Sequence, residues 1–272
     1  MSSMLDKIIT SKRAEVDAMR DDSDIEDTWA PTGVPAFEAA LRRGASGGPR
    51  PPLRLIAEHK RKSPSAGELS TALSPGERAV AYARAGATAV SVLCDAPFFG
   101  GAWEHVGAAR AALDGARLAA PVLAKEFIVD ALQLTRARRE GASAVLLIAR
   151  IVTPAELKTL VSAARVADLE PLVEIVDEQE LAAALDARAR VIGVNARDLD
   201  TLDIDGARAA RVLAAIPGDR VAVHLSGLRT PADVAAVAAT RADAALVGEA
   251  LMRLDDPSAL LAEMVRAAAS AP

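Results

Sequence analysis

The stretch LRLIAEHKRKSPS, residues 53–65, carries the pattern that decides the fold. A short apolar run, Leu53–Ala57, leads directly into Glu58 and Lys60, and then into a basic loop rich in Ser and Pro. Side chains two apart on a strand share a side, so Glu58 and Lys60 at the end of such a strand point the same way. Seven further apolar runs follow, at Ala89–Leu93, Pro121–Ala124, Val145–Ala149, Glu170–Val173, Val191–Val194, Val221–Leu225 and Ala244–Val247. Between them lie Ala- and Arg-rich segments with helical periodicity, among them Glu77–Ala85, Ala155–Ala167 and Pro231–Ala239. Ala85-Gly86-Ala87 and Glu140-Gly141-Ala142 stand where such helices must stop, and glycine supplies the left-handed conformation that ends them. Eight strand-and-helix units without a Gly-x-Gly-x-x-Gly after the first strand predict an α/β (β/α)8 TIM barrel rather than an open doubly wound sheet.

Upstream of residue 53, Leu5, Ile8, Ile9, Val16 and Met19 fall on one face of a helix. Acidic loop-like sequence, Asp21 to Asp27, and a second short amphipathic stretch around Phe37, Ala40 and Leu41 come next, before a Gly/Pro/Ser-rich linker from Gly44 to Pro52. The 272 residues therefore read as a single domain: residues 1–48 form an N-terminal helical extension and linker, and residues 49–272 form the barrel.

Half of the residues are apolar and a quarter charged, the balance of a soluble globular protein. A net charge of −5 argues against a nucleic-acid surface but not against an anionic substrate held by a local group of Lys and Arg. Cys94 is the one cysteine, so an intrachain disulfide is excluded and a reducing cytoplasm is the expected setting. The charged, amphipathic start is unlike a secretory signal, and no apolar run reaches the roughly 20 residues that span a bilayer.

The chemistry is expected at the strand ends, because a barrel builds its active site from the loops that follow its strands. Lys125 and Phe127 close the third run, Glu174 follows Leu172 on the fifth, and Asn195 and Arg197 close the sixth. Charged side chains make poor barrel filling, since an unpaired buried charge costs several kcal/mol. Four such pairs at one end of their strands point to a reaction centre. Ser226-Gly227 after the seventh run and Gly248-Glu249 after the eighth stand where barrel enzymes cradle a phosphate with backbone N–H groups.

These segments together resemble the indole-3-glycerol phosphate synthase family. Glu58-His59-Lys60-Arg61-Lys62-Ser63-Pro64-Ser65 is similar to the family signature E-x-K-R-x-S-P-S. Phe99-Gly100-Gly101, Pro121 to Phe127, Leu172 to Glu174, Gly193 to Leu199, Ser226-Gly227 and Leu246 to Glu249 agree in order and spacing, as does Leu5 to Val16. The resemblance implies conversion of 1-(2-carboxyphenylamino)-1-deoxyribulose 5-phosphate to indole-3-glycerol phosphate, with loss of CO2 and water, in tryptophan biosynthesis. It implies no metal and no organic cofactor, a small anionic phosphosugar as the partner, neither nucleic acid nor membrane, and a monomer or weak homodimer.

By the same resemblance Lys125 is the general acid, Glu174 the partner carboxylate, and Lys60 a cation facing the substrate that also donates a proton in dehydration. Glu58 and Asn195 orient these groups. Ser63 contacts substrate, and Phe99, Phe127 and Leu146 receive the aromatic ring. Arg197, Ser226, Gly227, Gly248 and Glu249 surround the anionic end.

The chain also departs from the family pattern. Leu225 stands where the family has Glu, Cys94-Asp95 where it has Thr-Glu, Ala124 where it has Arg, and Glu126 where it has Asp. With one carboxylate fewer, the lysine pKa values are expected to fall, and a catalytically weak or specialised paralogue, or a binding protein, is the alternative. Phosphoribosylanthranilate isomerase chemistry on the same fold would want a Cys or Asp base where Glu58 stands. His59 and His224 are expected to point away from the barrel interior, Trp29 to anchor the extension, Trp103 to pack on a loop, and Arg136–Arg139 to form a solvated face.

Overall fold

A computed structural model describes residues 3–20, 36–44, 51–64, 66–197 and 203–269. Eight parallel strands close on themselves: β1 (Arg54–His59), β2 (Ala89–Leu93), β3 (Val122–Lys125), β4 (Ala144–Ile148), β5 (Glu170–Ile175), β6 (Val191–Asn195), β7 (Val221–Leu225) and β8 (Ala244–Val247). The closing pair is β8 with β1, in register Arg54↔Ala244 through Ala57↔Val247. The expected strands are all present. Three coincide with the expected runs and the others differ at their ends by one or two residues, most of them because the polar residues Glu58, Lys125, Glu174 and Asn195 remain in the ladder.

Two helices precede the barrel, α1 (Met4–Arg20) and α2 (Phe37–Leu41). Around it run α3 (Pro75–Arg84), α4 (Trp103–Gly115), α5 (Ala131–Arg139), α6 (Pro154–Val166), α7 (Glu178–Asp186), α8 (Gly206–Ala215), α9 (Pro231–Ala238) and α10 (Ser258–Ala269). Several starts are written in the sequence. Ser74-Pro75, Thr153-Pro154 and Thr230-Pro231 place a capping hydroxyl before a proline whose missing N–H is not needed. In each case the acidic residue at the third helical position completes a capping box. Gly86 and Gly141 adopt positive φ at the ends of α3 and α5, as the sequence requires. Trp103 opens α4 and packs against the outer core.

Strand alternation sorts the apolar residues into two shells. Outward side chains such as Val90, Val122, Val173 and Val247 pack under the helices, while inward ones such as Ile56, Leu123, Leu172 and Leu246 fill the barrel. Phe37 and Leu41, both fully buried, join the inner shell, with α2 packed on β1 and β2. Arg43 fastens this segment: its Nε donates to the Pro51 carbonyl at 2.7 Å and its guanidinium to the Ala242 carbonyl at 2.9 Å.

The expected extension is confirmed in its helices, and the residues buried on α1 are Leu5, Ile8, Lys12 and Val16, so a lysine shares the apolar face. Arg136–Arg139 is a correction. Arg138 is buried against α6 and meets Asp168 at 3.0 Å, so this face is only partly solvated. Trp29, the acidic 21–27 stretch, the 48/49 boundary and Ser65 lie outside the described residues. No described helix is long and apolar enough to cross a membrane.

Candidate active site

Glu58 occupies the centre of the mouth. It is the penultimate residue of β1, is buried, and has a lysine on each carboxylate oxygen: Lys60 Nζ donates to Oε1 at 2.8 Å and Lys125 Nζ lies 3.1 Å from Oε2. Burial alone would push the Glu58 carboxyl up, yet Lys125 and Lys60 bring it down to about 2. Lys125 shows the reciprocal effect. Burial pulls its ammonium down, and the charges of Glu58 and Glu174 override this and hold it above the ordinary lysine value. With leucine at residue 225, Glu58 and Glu174 are the carboxylates that hold Lys125 up.

Tyr82 anchors the end of β1 from behind, its hydroxyl donating to the Glu58 carbonyl at 3.0 Å. Gly248, opposite, is needed for a steric reason. A Cβ there would lie 2.5 Å from Glu58 Oε1, so only glycine lets the carboxylate take its place between the lysines.

Across the mouth a hydrogen-bonded line runs through three strand ends. Ser226 Oγ donates to Asn195 Oδ1 at 2.8 Å, and Asn195 Nδ2 donates to Glu174 Oε1 at 2.8 Å. The Arg197 backbone N–H also donates to Asn195 Oδ1, at 3.0 Å. Asn195 thus fixes the Glu174 carboxylate and ties β6 to the turn after β7. That turn has positive φ at both Ser226 and Gly227, a shape costly for Ser and natural for Gly.

The proposed residues gather around two adjoining cavities that share Lys60, Lys125, Asn195, Arg197 and Ser226. The more apolar one is also walled by Ser63, Phe99, Phe127, Leu146 and Glu174. Phe99 and Phe127 face each other with ring centroids 5.8 Å apart. The other cavity adds Glu58, Gly227, Gly248 and Glu249. The Glu249 carboxylate is held by Arg253 at 2.8 Å and also feels the charges of Lys60 and Arg197. All fourteen residues named from the sequence line these walls.

Other residues were not foreseen. Met4, Leu5 and Ile8 of α1 wall the apolar cavity, as do Pro64, Leu93 and Ile148, and Arg229 walls the polar one. Strand alternation could have supplied Leu93 and Ile148. Nothing local could have brought α1 to the mouth.

Leu225 does face inward and is buried in the inner shell, where it packs on the space left by Gly193. Cys94 and Ala124 face the outer shell instead, away from the mouth, and burial raises the Cys94 thiol. His59 and His224 also lie outside the barrel interior, as expected. His59 stacks edge-on to His105 at 5.8 Å, and His224 Nε2 lies 3.0 Å from the Ser226 carbonyl.

A closed barrel with paired lysines and carboxylates at its C-terminal mouth, an aromatic wall and a Ser-Gly/Gly-Glu corner defines a (β/α)8-barrel enzyme for an aryl-bearing, anionic substrate. The indole-3-glycerol phosphate synthase family pattern matches residues 5–264. A relative from Opitutus terrae named indole-3-glycerol phosphate synthase is 45% identical over 229 residues, covering 84% of each chain. One of that name from a Polaromonas species is 40% identical over 268 residues, covering 97% of this chain and 98% of its own. Among solved structures, 3-hexulose-6-phosphate synthase from Salmonella typhimurium superposes with a TM-score of 0.61 at 16% identity, over 79% of this chain and 98% of its own; it shares the fold. The chain belongs to the indole-3-glycerol phosphate synthase family.

Proposed function

We propose that the chain carries out the reaction of its family, closing the pyrrole ring of 1-(2-carboxyphenylamino)-1-deoxyribulose 5-phosphate to give indole-3-glycerol phosphate, CO2 and water. It is a decarboxylating lyase of tryptophan biosynthesis acting on a phosphorylated small molecule. The observation that carries the assignment of roles is the Lys60–Glu58–Lys125 triad, whose two lysines wall one cavity together with Glu174. Ring closure puts negative charge on the ketose oxygen as the ring carbon attacks, and Lys125, kept protonated by two carboxylates, delivers a proton there. Departure of CO2 returns its bonding electrons to the ring. In the dehydration that follows, Lys60 protonates the leaving hydroxyl and Glu174, aligned by Asn195, takes up the proton lost from the ring system.

The aryl group is assigned to Phe99, Phe127 and Leu146, and Ser63 to contact with substrate at the same cavity. The phosphate is assigned to Ser226-Gly227 and Gly248-Glu249, with Arg197 beside it. The alternative of a weak or specialised paralogue is not favoured: relatives of the synthase name are 38–45% identical, and Leu225 leaves the triad whole. A cytoplasmic setting accords with a lone buried thiol and a biosynthetic role. A monomer or weak homodimer accords with the exposed large apolar residues Val166, Ile204 and Leu254, which lie far apart in sequence.

Turnover of the carboxyphenylamino-deoxyribulose phosphate, followed by indole fluorescence, tests the proposal. Multiple turnovers that saturate with substrate are expected. An enzyme that binds the substrate and releases no indole product would overturn it.

A further inference from the structure

Lys12 is a buried cation that the reaction does not use. It lies on α1 and is 1% exposed, and its Nζ is 2.9 Å from Asp95 Oδ1, 3.2 Å from Glu126 Oε1 and 2.8 Å from Glu15 Oε2. Asp95 and Glu126 are themselves almost wholly buried, at 0% and 2% exposure. Asp95 lies two residues beyond β2 and Glu126 one beyond β3, and each spends its remaining capacity on the backbone of a pocket phenylalanine. Asp95 Oδ2 accepts from the N–H groups of Phe98 and Phe99, at 2.8 and 3.1 Å. Glu126 Oε1 accepts from the N–H of Phe127 at 2.7 Å.

From this arrangement we infer that Lys12 is a positioning residue for the aryl end of the substrate. Its ammonium fixes the two carboxylates that orient Phe99 and Phe127, and the same ion cluster seats α1 so that Leu5 and Ile8 complete the wall. The inference rests on the synthase reading of the site. It extends that reading to a residue that touches neither the cavity nor the reacting atoms.

A buried carboxylate pair with one shared cation is sensitive to loss of that cation, because an uncompensated buried charge costs several kcal/mol or takes up a proton. The groups at the pair are Lys12 from α1, with Glu15 beside it, and Cys94, which also feels Glu140 just beyond α5. Of these only Lys12 is cationic. Even with it present, burial raises the Glu126 carboxyl to about 7. In Lys12→Met the pair should hold a proton at low pH and repel when fully ionised, so the pocket loosens as pH rises.

The test is steady-state kinetics of the full chain, native and Lys12→Met, from pH 6 to 9, with inorganic phosphate as a competitive probe of the other cavity. KM for the aryl substrate is expected to rise roughly tenfold or more at high pH, with kcat changing less, since aryl positioning is lost more than acid–base chemistry. The inhibition constant for phosphate should stay within twofold, because Ser226, Gly227 and Gly248 do not touch the cluster, whereas general unfolding would move both. Lys12→Met/Glu126→Gln, which removes one charge and keeps an acceptor for Phe127, should abolish the added pH dependence and recover most of KM. The double variant also decides the question if the single one does not fold. An unchanged KM and pH profile in Lys12→Met, with the native enzyme active, overturns the inference alone. So does a double variant no better than the single, or a phosphate constant that rises with KM. An inactive native chain overturns the synthase reading and this inference together.

Discussion

At the scale of single residues, the mouth works because a few charges hold one another in fixed protonation states. Glu58, with its carboxyl near 2, is a permanent anion, and it keeps Lys125 charged and aimed. Removing the proton donor should leave the barrel intact, since the lysine side chain is about a fifth exposed and fills no packed core. Lys125→Ala is expected to lower turnover by about 10²–10⁴-fold, the usual range for a lost general acid, with an unchanged circular dichroism spectrum. Near-normal turnover would transfer the acid role to Lys60. Leu225 gives a second expectation at this scale. Because it packs on Gly193 and two carboxylates already serve Lys125, Leu225→Glu should not raise turnover. It should instead lower stability by about 1–3 kcal/mol through a buried polar group, measured by urea unfolding. A gain in turnover would restore the paralogue reading.

At the scale of elements, β1 meets α3 and α4 through an unusual contact. His59 is buried, both ring nitrogens are without a hydrogen-bond partner among the described residues, and the ring abuts His105. Burial, reinforced by the nearby charges of His105, Arg78 and Arg61, brings its pKa down to about 3. Unfolded, the same imidazole binds a proton below about 6.5. The unfolded state therefore gains protons first, and stability present above pH 6.5 is lost as pH falls toward 3, by up to about 1.4 kcal/mol per pH unit for one proton. His59→Phe keeps a flat ring and removes that proton. Its unfolding free energy should decline less steeply than the native protein's between pH 6.5 and 4.5, above the range where Glu58 protonates. Equal slopes would mean that His59 does not govern acid sensitivity.

For the whole molecule, the two ends of the barrel carry different burdens. The C-terminal mouth holds polar groups in tension with their burial, while the N-terminal end is closed by Phe37 and Leu41 as ordinary apolar packing. Leu41→Ala should cost about 2–5 kcal/mol of stability, the range for a buried leucine. KM and kcat at 25 °C should remain near native, because α2 packs on β1 and β2 and its Phe37 and Leu41 wall neither cavity. A change in KM comparable to the loss of stability would show that the two ends are coupled.

What could be read from the sequence was what local chemistry dictates. Eight apolar runs, hydroxyl-proline helix starts and Gly helix stops define the barrel, because strand and helix periodicity and capping act within a few residues. The i, i+2 charges at strand ends located the mouth for the same reason: alternation fixes the side to which each points. Only the tertiary structure decided the electrostatic state of that mouth. Whether Leu225 starves Lys125 depends on Glu58 and Glu174, whose separation in space has no trace in their spacing along the chain. It also decided that Lys12, which looks like a solvated helix residue, is buried 114 residues away from the carboxylate it meets. Charge pairing across a fold is a property of distance and burial together, and neither exists until the chain has closed its barrel.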